Sequence, residues 1–169
     1  MEKNADHLVT TVNDVASESD TVTFTNTKFG SIAVEKTSVL RFPDGVPGFE
    51  HFKEYGLVSV DEEAPFLRLL SIDEPSLGFV ILNPATIWPD YDPQISGDEL
   101  KSLNVENSAD LEMYCVVTLS SSPQEVTANL KGPIVINANK MIGRQLILSD
   151  ERYSTKHFLL NDNVQTVKS

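Results

Sequence analysis

Three neighbouring runs decide the fold class: Thr21-Val-Thr-Phe-Thr25, Ser31-Ile-Ala-Val34 and Val39-Leu-Arg-Phe42. The first alternates, and all three are rich in the β-branched and aromatic side chains that suit a pleated strand. The same texture recurs outward along the chain at Leu57–Val60, Phe66–Ile72, Gly78–Leu82, Glu112–Leu119, Val126–Leu130, Gly132–Asn137 and Gln145–Leu148. Most of these runs are bounded by Gly, Pro, Asn or Asp, which end strands through φ preference or a missing N–H. About ten short strands at close spacing indicate an antiparallel sandwich or small barrel rather than βαβ units. Two stretches read as helical. Phe49–Tyr55 follows Pro47-Gly48 and is expected to make a turn or two. Ser96-Gly-Asp-Glu99 has capping-box spacing and opens a short helix over Asp98–Leu103, ending near Asn104.

The chain has 169 residues, enough for one domain with a packed core. Thirteen cations against 25 anions leave a net charge of −12. That balance disfavours nucleic acid and anionic membranes, whose binding relies on Lys and Arg. No apolar run approaches the ~18 residues of a membrane-spanning helix. The start lacks the basic-then-apolar order of a signal peptide, so an intracellular protein is expected. One cysteine, Cys115, makes neither an internal disulfide nor a zinc cluster. Residues 1–25, acidic and with only Leu8, Val9, Val12 and Val15 as sizeable apolar side chains before the first strand, read as a flexible tail, a weak helix being the alternative. The folded domain is placed at 26–160 and a C-terminal tail at 161–169.

Residues 54–112 carry thirteen anions against only Arg68 and Lys101, a net −11. One reading is a solvated face that keeps the chain soluble. The other is an electrostatic footprint for a basic partner, with Asp61, Glu62 and Glu63 as its densest run.

Catalytic and metal patterns are missing. His7, His51 and His157 show no helical i,i+4 pairing, and no nucleophile elbow, dinucleotide fingerprint or phosphate loop occurs. Cys115 lies in the apolar run Met113-Tyr-Cys-Val-Val117 and reads as a buried, inert thiol. Asp90 and Asp92 flank Tyr91 without the further oxygen ligands a calcium loop needs. No catalytic residue, metal or cofactor is expected.

Two segments point instead to binding. In Arg41-Phe-Pro-Asp-Gly-Val-Pro-Gly-Phe-Glu50, Pro43 and Pro47 fix φ, while Gly45 and Gly48 permit positive values. Phe42 and Phe49 bracket this stiff loop, either as a corner with both rings in the core or as a preorganised hydrophobic lip. In Asn83-Pro-Ala-Thr-Ile-Trp-Pro-Asp-Tyr-Asp92, Trp88 and Tyr91 stand beside acids and are residue types enriched at binding hot spots. Their alternative is a loop that folds its aromatics inward. Asn83 and Asp90 are the polar groups nearest these anchors in sequence.

At this point the residues carry a resemblance. The segments FGSIAVEK (29–36), VLRFPDGVPGFEHFKEYGLV (39–58), PFLRLLSIDEPSLGFVILNP (65–84), PDYDPQIS (89–96) and VTANLKGPIVINANKMIGRQLILSDERYSTKH (126–157) resemble the FliW family of flagellar assembly factors. The likeness runs through residues 28–160, and its most specific parts are the F-P-x-G-x-P-G-F turn and the A-N-L-x-x-P-I-V-I-N segment. Val46 stands where leucine is expected, Lys131-Gly132 replaces a small apolar residue before Pro133, and the first 25 or so residues find no counterpart. The resemblance implies an all-β, small antiparallel barrel-like domain with one or two short helices. It also implies a non-enzymatic cytoplasmic protein that binds the C-terminal helical region of flagellin. When free, and then a monomer, it would sequester the translational repressor CsrA and so relieve repression of flagellin translation. A flagellin-only chaperone and a carboxylate-based hydrolase are the alternatives.

Overall fold

The computed structural model describes residues 8–12 and 20–160. Its strands are β1 (Val9–Thr11), β2 (Thr21–Asn26), β3 (Gly30–Glu35), β4 (Val39–Arg41), β5 (Glu54–Ser59), β6 (Leu67–Ser71), β7 (Gly78–Leu82), β8 (Glu112–Thr118), β9 (Thr127–Asn137), β10 (Ile142–Gln145) and β11 (His157–Phe158). One α-helix, α1, spans Gly97–Ser102. Seven strands in the order β5-β4-β10-β9-β8-β7-β6 close into a barrel through the β5–β6 pairing. Neighbours in the barrel are antiparallel except β10 and β4, which meet in parallel at Ile142 and Arg41. The hairpin β2–β3 forms a sheet of its own, and β11 adds to β9.

Alternation along the strands divides the apolar residues between two faces. Leu40, Leu57, Leu69, Ile81, Tyr114, Ile134 and Ile136 fill the barrel interior. Their sequence neighbours turn outward and are buried too. Val58 and Leu70 pack under the β2–β3 hairpin. Val135 packs with Leu103 and Leu146 beside α1. Val80, Leu82, Cys115 and Val117 form a third outer cluster with Ala128, Leu130 and Leu159. Burial on both faces is why Gly78–Leu82 reads as a continuous apolar run and not as an alternation.

The structure revises the sequence reading at three places. Phe49–Tyr55 forms no helix: the Phe49 N–H donates to Val46 O and the Phe52 N–H to Phe49 O in two successive tight turns, and Tyr55 already belongs to β5, paired with Leu40 and Ser71. Second, the stretch expected to be a tail contributes to the fold. β1 lies parallel to β5 over Leu57–Ser59, on the edge that β4 leaves when its pairing ends at Gly56, and Leu8 is only 1% exposed. An unpaired strand edge and an apolar side chain to bury account for that docking. Thr21–Thr25 likewise lies within β2. Residues 1–7, 13–19 (Val15 included) and 161–169 lie outside the described residues. Third, the runs 126–130 and 132–137 are one strand, β9, with an irregularity where Tyr114 pairs with Ile134 but Val116 with Asn129. Pro133, without an N–H, sits inside that bulge.

The capping box forms as expected. The Glu99 N–H donates to Ser96 Oγ at 3.2 Å, and the Ser96 N–H to Glu99 Oε2 at 3.0 Å.

Candidate functional site

The Pro/Gly-rich loop closes one end of the barrel. Phe42 is fully buried, edge-on to Tyr55 at 5.2 Å, and Val46 goes into the same core. Phe42 is therefore a core residue and no part of an exposed lip. Gly45 has φ +69 and is buried, and a Cβ there would come within 2.5 Å of Glu50 Cα. Only glycine satisfies both demands. Pro43 and Pro47 face solvent. Phe49 stays 41% exposed, its ring edge-on to Phe79 at 5.6 Å, so this is the one ring of the loop that a partner could touch.

The aromatic loop lies over the outer cluster of β7, β8 and β9. The Tyr91 hydroxyl donates to Leu130 O at 2.8 Å, and its ring meets Tyr153 at 4.8 Å. Burial pushes the Tyr91 hydroxyl's pKa up, so it stays a neutral donor. Trp88 is half-buried, edge-on to His157 at 6.0 Å. Burial lowers the His157 pKa, and its Nε2 accepts the Ser154 N–H. Tyr91 thus anchors the loop to the barrel, and Trp88 keeps partial access. Asn83 uses its Oδ1 to accept the Ala85 N–H, capping the single turn Pro84–Thr86. Asp90 is exposed.

Asp61–Glu63 forms a single 3-10 turn between β5 and β6. Asp61 and Glu62 face solvent. Glu63 is different: its carboxylate receives two bonds from Arg68, at 2.8 and 2.9 Å, and one from Lys28 at 3.1 Å. The hydrogen bonds from Arg68 lead in lowering its pKa to about 2. One of the three acids is spent on structure.

Beyond these residues the structure reveals a groove of about 320 Å³ lined almost wholly by apolar side chains, among them Phe66, Leu82, Ile87, Leu119, Val126 and Leu159. Its wall at Pro65-Phe66 directly follows the acidic turn, and Ile87 precedes Trp88, so the groove joins two of the sequence-derived candidate regions. Leu119 is 51% exposed there. An open apolar groove of this kind suits the apolar stripe of an amphipathic helix. Sequence reasoning missed it because its lining comes from five separate segments. Leu119, an apolar residue just past the end of β8 and before Ser120-Ser-Ser122, was the available signal.

A second cavity, between Gln94–Glu99 and Ile147–Asp150, holds two carboxylates, but both are committed. Glu99 closes the capping box, and Asp150 is held low by paired bonds from Arg152. Neither is placed as a general acid or base. Cys115 is buried, donates to Leu82 O and has its pKa pushed up to about 12 by burial, leaving no thiolate for chemistry. Among the described residues no group of three His, Cys, Asp or Glu side chains could hold a metal ion, and no helix is long and apolar enough to cross a membrane.

Comparison with known proteins agrees with this architecture. The family model described as FliW protein matches residues 23–159. The flagellar assembly factor FliW of Alkaliphilus metalliredigens (strain QYMF) is 40% identical over 135 residues, 79% of this chain and 83% of the relative. That of Thermotoga neapolitana is 37% identical over 145 residues, 85% of this chain and 97% of the relative. The crystal structure of a flagellar assembly factor FliW is similar with a TM-score of 0.78 at 34% identity, covering 85% of this chain and all of that one. A closed barrel of this topology, matched over most of its length by such relatives, settles the family: the chain belongs to the FliW flagellar assembly factors.

Proposed function

We propose that this chain is a non-enzymatic regulator and chaperone of the bacterial cytoplasm that binds the C-terminal helical region of flagellin. When free, it sequesters a CsrA-type translational repressor, relieving repression of flagellin synthesis. The observation that carries the reading is the open apolar groove beside Trp88 and the acidic turn, on a chain of this family. A helix that packs into a filament must hide its apolar stripe before export, and the groove offers a matching surface. Asp61 and Glu62 supply free negative charge for a basic RNA-binding protein. The same open apolar lining counts against a hydrolase, whose site would converge on paired acids.

Purified chain titrated with flagellin and with the repressor, followed by calorimetry, tests both arms. Leu119→Asp, at an exposed groove position, is expected to weaken flagellin binding about tenfold or more while the melting temperature holds. Flagellin binding unchanged by Leu119→Asp would move the helix site away from the groove. Failure of the repressor to bind would leave a flagellin-only chaperone.

A further inference from the structure

The outer face of the barrel is covered by the β2–β3 hairpin, by α1 with its flanks, and by the 83–92 loop with the segment around β11. Between the first two covers runs the β4–β10 seam. Leu40 and Phe42 point into the barrel, so Val39, Arg41 and Pro43 face outward along this seam, beside Ile142 of β10. A shallow cavity of about 360 Å³ lies there. Val39, Met141 and Ile142 give it an apolar floor, and Lys36, Arg41 and Lys140 stand around it. None of these three cations forms an ion pair with a described residue, and Glu54 is the one carboxylate in the lining. At the seam's end Arg144 is already engaged, 3.6 Å from Asp44 and bonded to Ser102.

This is a local inversion of sign on a molecule of net charge −12. It is built from chain segments about a hundred residues apart, brought together by the parallel β4–β10 contact. We propose that the seam is a docking site for an acidic peptide segment of a partner protein, one that seats an aliphatic side chain on the floor and sets flanking carboxylates against Lys36, Arg41 and Lys140. Charge complementarity chooses the occupant. A basic repressor is repelled here, and a nucleic acid needs a longer cationic track than three residues on an otherwise acidic surface. The floor rewards a peptide with apolar side chains, which a bare phosphate chain lacks. The site shares no lining residue with the apolar groove, so it stands or falls apart from the flagellin and repressor assignments.

The test uses the full, isotope-labelled chain and a blocked hexapeptide alternating glutamate with leucine. It is run at physiological ionic strength, where the screening length of about 8 Å mutes the distant negative charge. Amide shifts are expected in residues 36–42 and 140–142. The double variant Lys36→Glu/Lys140→Glu should lose binding about tenfold or more with an unchanged melting temperature, and Arg41→Gln should weaken it several-fold without placing a new charge beside Glu54. Leu119→Asp should leave this binding untouched. Shifts confined to the acidic face or the groove would overturn the proposal. So would variants that bind as the parent does, equal binding of the lysine-for-glutamate peptide, or tighter binding of a single-stranded RNA oligonucleotide.

Discussion

Phe42 keeps its place in the barrel because the residue facing it across the β4–β10 seam has no side chain. A Cβ on Gly143 would lie 2.5 Å from Phe42 Cζ and 2.8 Å from Cε1, closer than real contacts allow. The ring is fully buried and also packs edge-on against Tyr55 at 5.2 Å, so a shift away from Gly143 would disturb the core around it. Gly143→Ala is therefore expected to cost about 1–3 kcal/mol, the range for overpacking a close-packed core, and to lower the melting temperature by several degrees. A thermal melt equal to the parent's would show that the ring is loosely held. The same contact explains why the sequence left Phe42 undecided between core and lip. The stiffness of its loop was legible from Pro43, Gly45 and Pro47, but the side on which the ring falls depends on a glycine on another strand. Cys115 was legible because the apolar run around it leaves a thiol little choice.

At the scale of elements, the hairpin β2–β3 is pinned to the barrel by Glu63. Its carboxylate ties Arg68 of β6 to Lys28 of the hairpin turn, and both cations lie over the Phe29 ring, at 5.7 and 5.2 Å. Its pKa falls from the ordinary 4.5 to about 2 in the folded chain. A depressed folded-state pKa means the stabilisation is complete above about 4.5 and is lost as pH falls through about 2. The difference in unfolding free energy between the parent and Glu63→Gln should thus be largest near neutral pH and shrink steadily through that window. A difference independent of pH would assign the contribution to packing alone. Elements with local signals were legible: Gly78–Leu82 and the capped helix after Ser96 stand where their residues put them. Phe49–Tyr55 misled because its helical look is local, whereas Tyr55 is claimed by strand partners on both sides, Leu40 and Ser71. Leu8–Thr11 misled in the opposite direction, since these residues gain order from the β5 edge and the core that buries Leu8, both supplied by distant parts of the chain.

Over the whole molecule, the net −11 of residues 54–112 was plain in the sequence, but its use was not, because ion pairs and distances decide which charges are free. The groove was hidden for a similar reason, being assembled from segments that carry no shared pattern. With Glu63 bound to Arg68 and Lys28, Asp61 and Glu62 are the free acids of the turn that leads into the groove wall at Pro65-Phe66. Reversing Glu63 would break the hairpin staple and confuse folding with steering, so the informative variant is Asp61→Lys/Glu62→Lys. Long-range attraction acts on the encounter more than on the docked complex. The reversal should therefore slow association with a basic repressor by about tenfold at low salt and flatten the dependence of the rate on ionic strength, with little change in dissociation. Stopped-flow measurements across a salt series separate the two rates. An association rate indifferent to both the reversal and the salt would leave the acidic face with no role in capturing that partner.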